Sequence, residues 1–125
     1  MAVSITSQTA PYVDKLIVDT DANQTAETNV LSGGATTFIF DVDNSDNTYS
    51  VYAKFFNNAA PTVGGSQSPT EPDIILMCPK QTRQTVTVED GIYFGTSLSF
   101  ACTTGADTAN QTPPANSVTI RLMAE

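Results

Sequence analysis

The stretch from Phe40 to Thr48, which reads FDVDNSDNT, sets three Asp and two Asn close together beside β-branched and aromatic residues. Closely spaced carboxylate and amide oxygens are calcium ligands, but an EF-hand loop also needs Gly at its sixth position, Glu at its twelfth and flanking helices. Here Asp46 takes the sixth position and the flanks are strand-like. Asn and Asp also bond to their own turn, so we favour a plain turn. A weak surface calcium site, or an acidic contact to a neighbouring subunit's Lys or Arg, is the alternative.

Other chemistry is sparse in the sequence. The chain has no histidine, the commonest general base and zinc ligand, and no tryptophan. No glycine-rich stretch matches a phosphate-binding loop. Asp41 and Asp43 are two apart on a predicted strand and would share a face, as a glycosidase pair could, but no partner nucleophile or base accompanies them. The sequence therefore predicts no enzyme, no catalytic residue, no cofactor, no resident metal and no small-molecule substrate.

The two cysteines, Cys78 and Cys102, lie in the apolar runs ILMC and LSFAC. Free cysteine in such a setting commonly serves as a small buried apolar side chain. A disulfide would require the two Cα atoms to lie within about 7 Å of each other. We favour buried thiols.

Apolar and polar residues alternate with period two, and no segment keeps a helical period for three turns. Strands are predicted at 15–19, 36–43, 49–56, 74–78, 84–89, 92–94, 98–102 and 118–123. The segments 36–43 and 49–56 are expected to form a hairpin, and 74–78, apolar on both faces, is expected to be a central strand. About eight strands are typical of a β-sandwich or jelly roll. Both topologies give the same alternation.

Length and charge limit the class of protein. A chain of 125 residues fits one domain over 1–125, with residues 1–14 as an extended N-terminal arm. The net charge of −8 disfavours nucleic acid and anionic membranes as partners. No segment reaches the ~20 apolar residues of a membrane helix, and the start lacks a signal-peptide pattern, so synthesis in a cytoplasm is expected. The loops at 57–72 and 105–116 are long enough to be contact surfaces.

Three stretches after Tyr52 carry a resemblance to a known family: YAKFFNNAAPTVGG, PTEPDIILMCPKQTRQTVTVE and DGIYFGTSLSFACTTGADTANQTPPANSVTIRLM. In their order and spacing they resemble a family of small bacteriophage virion structural proteins, frequent in phages of marine bacteria and cyanobacteria. The resemblance implies association with the virion and an all-β fold, and it carries over no catalytic or ligand residue. The first 50 residues lie outside it.

The leading hypothesis is therefore a capsid cement or decoration protein that binds the outside of the phage head and stabilises it. Its partners would be the major capsid protein and copies of itself, as a homodimer or homotrimer. The expected contact residues are Val3, Ile5, Tyr12 and Val13, which could add to a neighbour's sheet edge, and Thr62, Val63 and Pro69 in the loop from Thr62 to Pro69. The alternative is a head- or tail-fibre component that binds a host receptor or glycan.

Overall fold

The computed structural model describes residues 3–7, 13–65 and 67–125. Within these residues the regular structure consists of nine strands and no helix. The strands are β1 (Val3–Ser7), β2 (Lys15–Asp19), β3 (Glu27–Ser32), β4 (Ala35–Asp43), β5 (Val51–Asn57), β6 (Ile74–Cys78), β7 (Arg83–Phe94), β8 (Ser97–Thr103) and β9 (Thr119–Ala124).

The strands form two antiparallel sheets, in the orders β1-β2-β9-β4-β7 and β3-β8-β5-β6. Their pairings are nested, because β2 pairs with β9, β3 with β8, β4 with β7 and β5 with β6. This is the arrangement of one long antiparallel ribbon folded over itself, which makes the sandwich a jelly roll. The predicted all-β fold is confirmed.

The predicted hairpin of 36–43 with 49–56 is wrong. β4 lies in the five-stranded sheet and β5 in the four-stranded sheet, so the FDVDNSDNT stretch crosses from one layer to the other. Both strands turn an apolar face inward, where the rings of Phe40 and Phe55 meet edge to face with their centroids 5.0 Å apart. Alternation specifies which face of a strand is buried, but it does not specify which strand lies beside it.

The core lies between the two sheets and receives large side chains from both. Those exposed by 1% or less include Ile17, Phe40, Phe55, Phe94, Leu98, Phe100, Ile120 and Leu122. Full burial of one such side chain stabilises the fold by about 1.5–3 kcal/mol. In β2 the core residue is Ile17, and its neighbours Leu16 and Val18 are half-buried on the opposite face.

A register shift between Thr37 and Ile39 interrupts the alternation in β4. The shift buries Thr37 completely, whereas Phe38, which strict alternation would put on the same face as Phe40, is only half-buried and lies outside the core. An extra residue in one strand of a pair reverses the faces beyond it, which is why strict alternation fails here.

The segments predicted as separate strands at 84–89 and 92–94 form the single strand β7. Gly91 lies between them with φ of +73°, a conformation that L side chains rarely adopt. A Cβ atom at this position would collide with the side chains of Thr36 and Phe38 on β4. The glycine therefore permits the close approach of β7 to the irregular part of β4.

Two strands were not predicted. β1 falls in the segment interpreted as an arm, and β3 alternates weakly because only Leu31 in it is buried. Its register against β8 shifts between Glu27 and Leu31, and Asn29 in this interval has φ of +53°. A strand broken by such an irregularity lacks the uninterrupted period-two signal on which its prediction depends.

Candidate functional site

Residues 3–7 of the predicted N-terminal arm form β1, which pairs with β2 of the same chain at the edge of the five-stranded sheet. Val3 packs against the core, whereas Ile5 is 49% exposed. Val13 is half-buried just before β2, and Tyr12 lies outside the described residues. The sheet edge expected on a neighbour is thus supplied, in this structure, by the chain's own β2.

The predicted contact loop from Thr62 to Pro69 lies in the longer 58–73 loop between β5 and β6. Thr62 is exposed, and Val63 and Pro69 are half-buried. The loop closes on itself, since the Thr62 N–H donates to Thr70 Oγ1 at 2.9 Å and the Thr70 N–H donates to the Thr62 carbonyl at 2.8 Å. The three residues therefore share one short, internally bonded segment, well separated in sequence from Val3 and Ile5.

The 104–118 loop, between β8 and β9, covers part of the outer face of the four-stranded sheet. It touches the 58–73 loop, because the Gly65 N–H donates to the Ala109 carbonyl at 3.0 Å. Beneath it Lys54 is only 1% exposed, and its Nζ donates to the carbonyls of Asp107 (2.8 Å) and Asn110 (3.4 Å). Burial lowers the pKa of Lys54 from its ordinary 10.5, and the nearby Asp107 charge opposes this. Both loops, predicted as contact surfaces, are thus also packed against each other.

Exposed apolar side chains are concentrated on the edge strands. Among the described residues, the large hydrophobic side chains that are most exposed are Ile5 (49%), Ile75 (40%), Met77 (51%), Val86 (37%) and Tyr93 (68%). All of them belong to β1, β6 or β7, each of which pairs with a neighbour on one side only within the part of the chain that the structure describes. Monomeric β proteins usually protect such edges with charges, proline or short strands.

The prediction that 74–78 is a central strand is wrong, because β6 is the last strand of its sheet. Cys78 faces the core, whereas Ile75 and Met77 lie on the outer face opposite Lys54 and Tyr52 of β5. The sequence signal was an apolar residue at every position, typical of strands covered on both faces. In this edge strand the same signal leaves Ile75 and Met77 exposed on the outer face.

The acidic stretch divides between two structural roles. Asp41 is on the outer face of β4, with its side chain 6% exposed, and accepts hydrogen bonds from Arg83 Nε (3.0 and 2.9 Å) and Thr85 Oγ1 (2.7 Å). Arg121 Nη1 lies farther from its carboxylate, at 3.7 Å. Burial alone would raise the pKa of Asp41, but the bonds from Arg83 and Thr85 and the two positive charges outweigh it and hold the pKa below 3.8.

The predicted turn is present, since the Asn47 N–H donates to the Asn44 carbonyl at 3.3 Å. Both asparagines are fully buried. Asn44 Nδ2 donates to the carbonyls of Tyr49 (2.8 Å), Cys78 (3.2 Å) and Pro79 (3.1 Å). Asn47 Nδ2 donates to the Asn116 carbonyl, and Asn47 Oδ1 accepts from the Asn116 N–H. This network joins the loops at one end of the sandwich.

The cysteines are free and buried, as predicted. Burial raises the pKa of the Cys102 thiol to about 12. Since the thiolate is the reactive form, Cys102 is held in its inert state at neutral pH.

In the described part of the chain, no group of three or more His, Cys, Asp or Glu is placed to hold a metal ion. The same residues contain no helix with the length and apolarity needed to cross a membrane. Comparisons with protein-family models, curated proteins and solved structures found no match to this chain.

Proposed function

We propose that the chain is a bacteriophage virion structural protein, a capsid cement or decoration protein that binds the outside of the head and stabilises it. The observation that carries the proposal is the concentration of exposed apolar side chains on the edge strands β1, β6 and β7. Apolar side chains beside unpaired backbone edges suit attachment to neighbouring proteins by strand addition and side-chain burial. The proposal assigns the chain no catalytic role.

The fold is compatible with this role but does not decide it. Jelly rolls serve in viral shells and in lectins alike, so function has to be argued from the surface. The resemblance of the segments after Tyr52 to small phage virion proteins supports placement on the particle. The proposed location is the virion, after synthesis in the host cytoplasm.

The proposed partners are the major capsid protein and copies of the chain itself. The exposed residues lie at edges of both sheets, so one molecule offers separate contact points, and joint contacts raise the avidity beyond that of any single one. The chain has a net charge of −8, so complementary patches on the shell would be basic. Electrostatic attraction to such patches would favour encounter with the shell, and the same charge repels nucleic acid.

Binding to purified empty heads tests the proposal. Met77→Lys places a charge on the exposed face of β6 and is expected to weaken co-sedimentation with heads at least about tenfold, as loss of a buried contact residue does. Ser45→Lys adds the same charge at an exposed loop position and serves as the matched control. If Met77→Lys, Ile5→Lys and Val86→Lys all bind as the unaltered protein does, the edge strands are not the contact surface.

Copy number separates the proposal from a fibre component. A decoration protein should be present in hundreds of copies per particle, and its absence should lower the resistance of the head to heat while adsorption to cells stays normal. Quantitative mass spectrometry of purified virions measures this. A scarce protein whose loss abolishes adsorption would instead be a fibre component.

A further inference from the structure

A cleft of about 450 Å³ opens on the surface between the start of β5 and the 104–118 loop. Its lining consists of Tyr49, Ser50, Tyr52, Thr104, Thr112 and Pro113. The volume lies within the range of about 300–1,000 Å³ that is usual for small-molecule sites. The exposed side chains of β1 and β7 belong to the other sheet, whereas Met77 of β6 pairs with Tyr52, one of the lining residues.

The chemistry of the lining is selective. Two tyrosine rings and a proline offer flat apolar faces, three hydroxyl groups come from Ser50, Thr104 and Thr112, and no lining side chain carries a charge. A charged ligand would find no counter-ion there, and a purely apolar ligand would leave the hydroxyl groups without partners. A ligand that combines a flat C–H face with several hydroxyl groups satisfies both halves of the lining. A pyranose ring has this composition.

Hydrogen bonds hold the walls of the cleft in place. The Tyr49 hydroxyl accepts from the Ala115 N–H at 2.6 Å, which fixes the ring against the loop. The Thr104 N–H donates to the Thr112 carbonyl at 3.0 Å, so the two threonines stand at a fixed spacing. Lys54 anchors the same loop through the carbonyls of Asp107 and Asn110. A preformed wall needs little ordering when a ligand binds, which favours affinity.

We propose that this cleft binds a neutral pyranose saccharide, with Tyr49 and Tyr52 stacking on sugar rings and Ser50, Thr104 and Thr112 bonding to sugar hydroxyl groups. The alternative occupant, a proline-rich peptide, also docks on aromatic grooves. The saccharide is favoured because the groove offers three hydroxyl side chains beside its rings. A decoration protein with this cleft would hold polysaccharide at the particle surface.

The test is an NMR titration of the protein with D-glucose, D-galactose, D-mannose and their β1,4- and α1,6-linked disaccharides. We expect at least one of these sugars to shift the amide signals of Tyr52, Thr104 and Thr112 in a saturable manner. Tyr52→Ala should weaken that binding at least about tenfold, since it removes one stacking face. The matched control is Tyr93→Ala, because Tyr93 is 68% exposed on β7 of the other sheet.

A second variant keeps the test decisive if Tyr52→Ala unfolds. Thr112→Glu changes an exposed loop residue and places a carboxylate in the neutral cleft, which should also weaken saccharide binding. The proposal is overturned if none of the sugars shifts these signals, if both variants bind sugar as well as the unaltered protein, or if only a proline-rich peptide binds. Val86→Lys, on β7 of the other sheet, should weaken head binding and leave sugar binding unchanged, so failure of this proposal and failure of the decoration role are distinguishable.

Discussion

Among the described residues, the outer face of each sheet buries one charged side chain, and the two faces compensate that charge differently. On the five-stranded sheet, Asp41 bonds directly to the guanidinium of Arg83 and has a second one, on Arg121, at 3.7 Å. On the four-stranded sheet, Lys54 is covered by the 104–118 loop and donates to the backbone carbonyls of Asp107 and Asn110. The pKa of each group is lowered, but for Asp41 this favours the charged form and for Lys54 it favours the neutral form.

The difference indicates what each charge does. Opposite charges and a hydroxyl stabilise the Asp41 carboxylate beyond what water provides, so it contributes to stability as an ion. The carbonyls that hold Lys54 compensate only part of its lost hydration, so its charge opposes folding while its hydrogen bonds fix the loop. The ionised Asp41 therefore stabilises the five-stranded sheet. The ionised Lys54 is itself destabilising, but it positions the 104–118 loop, which forms one wall of the cleft.

The largest expected effect comes from Asp41→Asn. The amide removes the negative charge that accepts the hydrogen bonds of Arg83 and Thr85. We therefore expect the free energy of unfolding to fall by about 2 kcal/mol, the usual contribution of hydrogen bonds to a charged group. Urea unfolding followed by circular dichroism measures it. The matched control is Asp43→Asn on the same strand, where the carboxylate accepts from Ser45 N–H at 3.1 Å and is less buried. Equal losses in the two variants would contradict the special role of Asp41.

The same variant predicts a dependence on pH. The unfolded carboxyl has its ordinary pKa of 3.8 and the folded one lies lower. The contribution of Asp41 is therefore complete above 3.8 and is lost as the pH falls from 3.8 through the folded value. The gap in stability between the unaltered protein and Asp41→Asn should narrow over that interval. A gap that stays constant down to the acid transition would show that the carboxylate is not the source of the effect.

The charged neighbours that distinguish Asp41 from Lys54 could not be predicted from the sequence. Strict alternation puts Asp41 on the face opposite Phe40 and Val42, and Lys54 on the face opposite Ala53 and Phe55, whose side chains the structure buries in the core. Nothing in the local pattern indicated that Arg83 and Arg121 would flank Asp41, because both lie on strands far away in the chain. Pairing across a jelly roll depends on topology, which period-two patterns leave open.

The second expected effect is that of Lys54→Met, which keeps the buried stem and removes the amine. The carbonyls of Asp107 and Asn110 lose their donor, while the unfavourable burial of a charge disappears, so we expect a net loss of only about 1 kcal/mol. Hydrogen exchange of the 104–118 loop should rise more than that of the sheets. Lys80→Met, at an exposed position, is the control and should change neither. If Lys54→Met is as stable as the unaltered protein and the hydrogen exchange of the 104–118 loop does not change, Lys54 does not anchor this loop.

Lys54 also predicts a pH effect of opposite direction. The folded amine has its pKa below the ordinary 10.5, so the unfolded state binds more protons between the two values. The stability of the unaltered protein should therefore rise, relative to Lys54→Met, as the pH increases through the folded pKa toward 10.5. Thermal unfolding of both proteins across alkaline pH measures this. If the stability of the unaltered protein instead falls relative to that of Lys54→Met over this pH range, the folded protein stabilises the Lys54 amine as a cation.

The buried asparagines illustrate a second limit of sequence analysis. The pattern DNSDN predicts a turn in which Asn and Asp bond to their own loop, and the turn exists. In the structure Asn44 and Asn47 bond backbone groups of Tyr49, Cys78, Pro79 and Asn116. The asparagine amide can bond within its own turn or to the backbone of a distant segment with the same donor and acceptor atoms. Which of the two occurs depends on the neighbours that the fold places around it.

The smallest expected effect separates the two arginines that share Asp41. Arg83 makes direct hydrogen bonds to the carboxylate, whereas Arg121 Nη1 lies 3.7 Å away and has no hydrogen-bond partner among the described residues. Charge alone, at a partly exposed site, contributes little. Arg121→Gln should therefore change the free energy of unfolding by less than about 0.5 kcal/mol, and Arg83→Gln should destabilise more. Urea unfolding of both variants, which lose the same charge, measures the contrast. If Arg121→Gln proves the more destabilising, the net positive potential on this face stabilises Asp41, and the directed hydrogen bonds of Arg83 do not.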